Sequence, residues 1–285
     1  MPARILDIHP HIISPDTRRY PQKPLGGTQS TWSRDRPTTY EQLLAAMDEA
    51  GVARAAIVQS STCYGFDNSY VADAVAAHPE RFTGVFSVDV LAADAPEKIR
   101  YWVDKGLTGL RLFTTGSTMP NQATWLDDPK TFPAWQCAGE LGIPVCVQMQ
   151  QSAIPQLKVL IDRFPNVTMI IDHLMRPPIE DGPPYAGAEP VLALSKYKNI
   201  SLKLTIISVR EAKKGRARPE TFFRKVVKEY GASRIAWGSN FPASDGSLKQ
   251  IVDESRDALS FLSAEEQDWI FWGTAQRLYP ALAGK

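Results

Sequence analysis

Ile143-Pro144-Val145-Cys146-Val147-Gln148 and Val167-Thr168-Met169-Ile170-Ile171-Asp172 are short apolar runs without a regular polar face. Between them Ile154–Phe164 reads as a helix that stops before Pro165, and ahead of them Phe132–Leu141 reads as one that stops at Gly142. Strands buried on both faces of a parallel sheet have this appearance, because helical crossovers cover both sides. The alternation continues outward. Strands are expected at Arg4–Ile8, Arg54–Gln59, Phe82–Val88, Thr108–Phe113, Ile200–Leu204 and Arg234–Trp237. Helices are expected at Tyr40–Ala50, Val71–Ala77, Pro96–Lys105, Glu189–Tyr197, Thr221–Tyr230, Lys249–Leu262 and Ala264–Leu278. Gly51, Gly106 and Gly231 follow three of these as stop signals, and Ser263 with Glu266 has capping-box spacing. Eight such units predict an α/β fold, a (β/α)8 barrel, in a single domain over residues 1–285. No Gly-x-Gly-x-x-Gly loop follows the first strand, which counts against an open doubly wound sheet.

The chain has 285 residues, 32 Lys and Arg against 31 Asp and Glu, 44% hydrophobic and 22% charged residues. Those proportions exclude a disordered or fibrous chain. A net charge of +1 excludes a general polyanion binder, so nucleic acid is not an expected partner. Cys63, Cys137 and Cys146 are odd in number and widely spaced, as buried thiols of a reducing compartment are. The N-terminal stretch has no signal-peptide core, and no run nears the roughly 20 apolar residues of a membrane helix. A cytoplasmic enzyme acting on a small molecule is expected, with self-association into a homo-oligomer left open.

The four histidines are His9, His11, His78 and His173. His9 and His11 follow the first strand two residues apart, a spacing that turns both side chains the same way in extended chain. His173 ends the sixth strand. All three therefore fall at the C-terminal mouth, where barrel enzymes keep their chemistry. His78 falls in a helix-to-strand loop, at the opposite end, and reads as structural. The long segments Ser14–Pro37, Thr114–Pro129 and Arg176–Ala188 all follow strands and would build the mouth. Arg111 and Lys203 sit inside strands among leucines, and Arg176 follows the sixth strand. Arg111 either pairs with a barrel carboxylate or clamps a substrate carboxylate in its planar fork. Trp32, Tyr64, Phe113, Trp125 and Phe241 lie on presumed mouth loops, where rim packing is their ordinary role. No Gly-x-Ser-x-Gly elbow occurs, which argues against a serine nucleophile.

Asp7-Ile8-His9-Pro10-His11 resembles the Asp-x-His-x-His opening of the amidohydrolase superfamily. Asp172-His173-Leu174-Met175-Arg176-Pro177 is similar to the Asp-His-x-x-(Lys/Arg)-Pro segment of its branch of sugar lactonases and 2-pyrone-4,6-dicarboxylate lactonases. Ser201-Leu202-Lys203-Leu204-Thr205, the segment Arg234 to Pro242 and the segment Trp272 to Tyr279 also resemble that branch, in the expected order. The resemblance implies a distorted (β/α)8 barrel that hydrolyses a ring ester or amide. His9, His11 and His173 would form its imidazole cluster and Arg111 would orient the substrate.

Two departures bear on the chemistry. Asn240 stands where the branch has an aspartate that takes a proton from the attacking water, and an amide cannot do so. Gln148 stands on the fifth strand where many metal-dependent members have a histidine or a modified lysine. Little or no tightly bound metal is expected; a weakly bound divalent ion on His9, His11 and His173 would be zinc first. Asp172, next to His173, is expected to tuck behind the barrel wall. Asp7 is expected to fix the tautomer of a neighbouring imidazole. Asp245 reads as solvated surface or a helix cap. The expected function is hydrolysis of a small cyclic, anionic substrate, a lactone preferred, by water attack on a carbonyl. His9, His11, His173 and Asn240 form the catalytic set; Arg111, Arg176, Lys203 and Gln148 hold the substrate. Two alternatives are a metal-dependent decarboxylase or other lyase on the same barrel, and a barrel that has lost catalysis and only binds a ligand.

Overall fold

A computed structural model describes residues 5–283. Eight strands lie side by side in chain order: β1 (Ile5–Asp7), β2 (Val52–Val58), β3 (Phe82–Phe86), β4 (Leu107–Phe113), β5 (Val145–Gln148), β6 (Met169–Ile171), β7 (Ile200–Thr205) and β8 (Ile235–Gly238). Every neighbouring pair is parallel. The expected β/α alternation is therefore present, as a nearly closed barrel.

The seam between β8 and β1 is held by few bonds. Ile8 N donates to Trp237 O (3.3 Å), Asn240 N to His9 O (3.0 Å) and His11 N to Phe241 O (2.7 Å). Asp7 bridges the gap, its Oδ1 accepting from His9 N at 2.9 Å and Ser239 N at 2.8 Å. That corrects the expectation for Asp7: its carboxylate serves backbone amides and bonds no ring. Burial pushes its carboxyl up to about 6. Gly238 is required at this seam, because a Cβ there would come within 2.6 Å of His9 Cβ.

Two apolar clusters divide the core. The larger lies between strands and helices. The smaller fills the barrel interior with Leu6, Ile8, Ala56, Val58, Val85, Cys146, Ile170 and Ala236. Small strand residues leave room, and Ala275, Leu278, Tyr279 and Leu282 of the C-terminal segment fill it from below. Gly109 admits Tyr279, whose Cε1 would lie 2.8 Å from an added Cβ.

Boundaries moved where local chemistry was stronger than periodicity. The helices Tyr40–Ala50 and Phe132–Leu141 have the expected ends, both closed by left-handed glycines. The Ser263–Glu266 capping box forms, but the helix behind it passes through a π-turn at Trp269–Gly273. Short helices at Thr31–Asp35, Ser61–Tyr64 and Ile206–Glu211 were not foreseen, having too few residues to establish a period. Arg4, expected to open the first strand, lies outside the described residues. Cys63, Cys137 and Cys146 are free and buried. Among the described residues no helix is long and apolar enough to cross a membrane.

Candidate active site

A cavity of about 770 Å³ opens at the C-terminal end of the strands, within the range usual for small-molecule sites. All three long loops reach it, through Trp32, Thr115 and Arg176. His11, Arg111, Gln148, Asp172, His173, Arg176 and Asn240 line it. His9 and Lys203 are fully buried and do not line it; they lie beneath its floor. The three imidazoles nonetheless converge. The His9 ring is 4.9 Å from that of His11 and 4.8 Å from that of His173, edge-on to both.

Sequence spacing misjudged the sixth strand. It ends at Ile171, so Asp172 shares the inward face with Ile170. The chain then leaves through four consecutive residues of positive φ, His173 to Arg176, which turn the His173 ring to the cavity as well. Asp172 thus belongs to the site and not behind the wall. Its Oδ1 stands 2.8 Å from Lys203 Nζ, and its Oδ2 accepts from Arg111 Nε at 2.9 Å. Burial alone would raise this carboxyl, but Lys203 and Arg111 beside it hold it well below the usual carboxylate range. Arg111 Nη2 also donates to Gln148 Oε1. The ion-pair reading of Arg111 is therefore met, while its guanidinium still borders the cavity.

The protein fixes two ring tautomers. His11 Nδ1 lies 2.8 Å from Val58 O; a carbonyl only accepts, so Nδ1 carries the proton and Nε2 keeps its lone pair. His9 Nδ1 lies 2.9 Å from Lys203 Nζ; an ammonium only donates, so the His9 proton sits on Nε2, a buried atom with no partner among the described residues. His173 Nδ1 pairs with Thr205 Oγ1 at 2.8 Å, where either atom can donate. Burial lowers His11 and His173 to about 3, and burial with the Lys203 charge lowers His9 strongly. All three rings are neutral near pH 7.

Asn240 is nearly buried at positive φ, a conformation asparagine tolerates, and its Nδ2 donates to Ser244 Oγ at 2.9 Å. The Arg176 side chain is largely exposed at the rim, 4.0 Å from Glu211. His78 packs near Tyr40 and Glu80, away from the cavity. Asp245 pairs with Arg36 at the surface. Thr205 and the Val58 carbonyl were missed, since neither carries a sequence signal of its own.

The amidohydrolase resemblance raises the question of a metal. His9, Asp172 and His173 each offer one ligand atom, all within 4.8 Å of one another. As they stand they do not fit a divalent ion. The Lys203 ammonium already lies against two of the three, taking up the lone pair of His9 Nδ1 and leaving the ring proton on Nε2.

The model of the amidohydrolase family matches residues 6–281. The chain belongs to the amidohydrolase family. It is 30% identical over 213 residues to an L-fucono-1,5-lactonase of Burkholderia ambifaria, covering 73% of this chain and 70% of that one. The family member also resembles a Pseudomonas putida structure described as a 2-pyrone-4,6-dicarboxylic acid hydrolase (TM-score 0.77, 22% identity, 99% of each chain). An amidohydrolase of Burkholderia multivorans with bound zinc superposes with a TM-score of 0.76 at 18% identity, over 98% of this chain and 99% of that one. This amidohydrolase therefore shares its barrel fold with a solved structure that holds zinc.

Proposed function

We propose that this amidohydrolase hydrolyses a small cyclic ester, a lactone bearing negative charge, without a tightly bound divalent ion. One observation carries the reading: neutral His11 and His173 line one cavity with Arg111, and Arg176 stands at its rim. The lactonase relative supports the ester over the amide.

The division of labour follows from the protons. His11 offers the Nε2 lone pair to an attacking water. His173, when Thr205 donates to its Nδ1, offers an N–H to the lactone carbonyl and stabilises the charge that develops there. Asn240 lies at the same floor with one amide hydrogen committed to Ser244 and a second to spare for that oxygen. The proton that His11 Nε2 takes from water is passed to the ring oxygen as its C–O bond breaks, which releases the hydroxy acid and restores the neutral imidazole. Arg111 and Arg176 hold an anionic substituent. A panel of sugar lactones and dicarboxylate lactones tests this directly: turnover by dialysed protein is expected, and inertness towards the whole panel overturns it.

Arg176→Ala is expected to raise KM for an anionic lactone about tenfold, the loss of one charge-assisted bond, with kcat nearly unchanged. A neutral lactone of the same ring size should be unaffected. Equal KM changes for both would remove Arg176 from substrate recognition.

Asn240→Asp separates catalysis from mere binding. In a working enzyme a new carboxylate at this floor is expected to change turnover by less than about tenfold, because the imidazoles already serve the water. Activity appearing in this variant from an inert parent would favour a ligand-binding barrel. The lyase reading would require an ion where Lys203 now stands.

A further inference from the structure

Lys203 is among the largest fully buried side chains of the protein, and no part of it reaches the cavity. An ammonium so placed must be neutralised and bonded on the spot. Its contacts are Asp172 Oδ1 at 2.8 Å, His9 Nδ1 at 2.9 Å and Cys146 Sγ at 3.5 Å. A carboxylate oxygen, an imidazole nitrogen and a sulfur are together the donor types that a borderline ion such as zinc accepts. Here they surround a charge covalently tied to β7.

We infer that Lys203 is the resident cation of this site: it occupies the ground between His9 and Asp172, excludes divalent metal from the His9–Asp172–His173 group, and fixes His9 as an Nε2–H donor. Three observations converge on this. The ligand atoms of the trio lie within 4.8 Å of one another, and the Lys203 ammonium stands 2.8–2.9 Å from two of them. The ammonium can only donate, so its bond to Nδ1 dictates where the His9 proton goes. The His9 ring meets those of His11 and His173 edge-on, and its buried Nε2 has no hydrogen-bond partner among the described residues. Lys203 is thus a positioning residue that acts through His9 and does not touch substrate. A ring freed of the ammonium could present its lone pair on Nε2, and an ion could then draw His9, Asp172 and His173 together.

The inference concerns the site proposed above but does not depend on the substrate, so a failed lactone screen leaves it standing. The test is zinc uptake by the parent and by Lys203→Ala, measured as zinc per chain after dialysis and by calorimetric titration. The parent is expected to retain no stoichiometric zinc. The folded variant is expected to bind about one ion per chain, at least about 100-fold more tightly, as removal of a full charge from between the donors requires. A parent that keeps one zinc per chain overturns the inference, and so does a folded variant that binds no better than the parent. Should the variant fail to fold, long-range proton–nitrogen spectra of histidine-labelled parent decide. His9 is expected as the Nε2–H tautomer and His11 as Nδ1–H, both unmoved by excess zinc. His9 found as Nδ1–H, or shifting with zinc, overturns it.

Discussion

Asp172→Asn is expected to lower the free energy of unfolding by about 3–5 kcal/mol, the cost of leaving buried charge without its counterpart. Lys203 and Arg111 both face this carboxylate, with side-chain exposures of 0% and 4%, so Lys203 cannot turn to water and Arg111 meets it only at the cavity floor. An amide supplies one acceptor and no charge in exchange for two charged oxygens. Chemical denaturation of the parent and the variant measures the loss. Adding Lys203→Met to Asp172→Asn should recover most of it, because the uncompensated ammonium leaves as well, and the double-mutant cycle isolates that coupling. A loss below about 1 kcal/mol, the level of exposed ion pairs, would mean that the network is solvated.

His173→Ala is expected to reduce kcat/KM for a lactone by about a hundredfold to ten-thousandfold, the usual contribution of a group that moves or shares a proton in the transition state. The fold should tolerate the change better than it tolerates loss of Asp172, since His173 is neutral and the Thr205 hydroxyl that pairs with it can rotate to another acceptor. Thr205→Val should reproduce part of the defect, because the ring would lose the hydrogen bond that holds its Nδ1. Initial rates by a pH-indicator assay, which detects the acid released, measure both. Full turnover by His173→Ala and by His9→Ala on the same substrate would end the imidazole mechanism.

The barrel was legible because parallel strands advertise themselves: Val145 to Val147 and Met169 to Ile171 are apolar on both faces, and glycines mark the helix ends at 51 and 142. The convergence of His9, His11 and His173 was legible from strand-end placement. Asp172 was not, for a specific reason. Counting parity through His173 assumed extended chain, whereas the strand stops at Ile171 and the next four positive-φ residues break the alternation. The clue lay elsewhere in the sequence, since inward Arg111 and Lys203 demanded an inward acid. The burial of His9 below the floor depends on Gly238 lying against it across the seam, a contact between residues far apart along the chain. The proton positions on His9 and His11 depend on Lys203 and on the Val58 carbonyl, and no spacing rule announces such pairings.

Ala275, Leu278, Tyr279 and Leu282 close the lower end of the cylinder, and they leave the ribosome only after all eight strands have done so. Until then the nascent chain carries an apolar funnel open to water or to chaperones, directly under the place where the charged residues must pair. Maturation of the whole barrel is thereby deferred until this last segment has been synthesised. Chains cut short before Ala275 should accumulate as insoluble material even though every strand and every site residue is present.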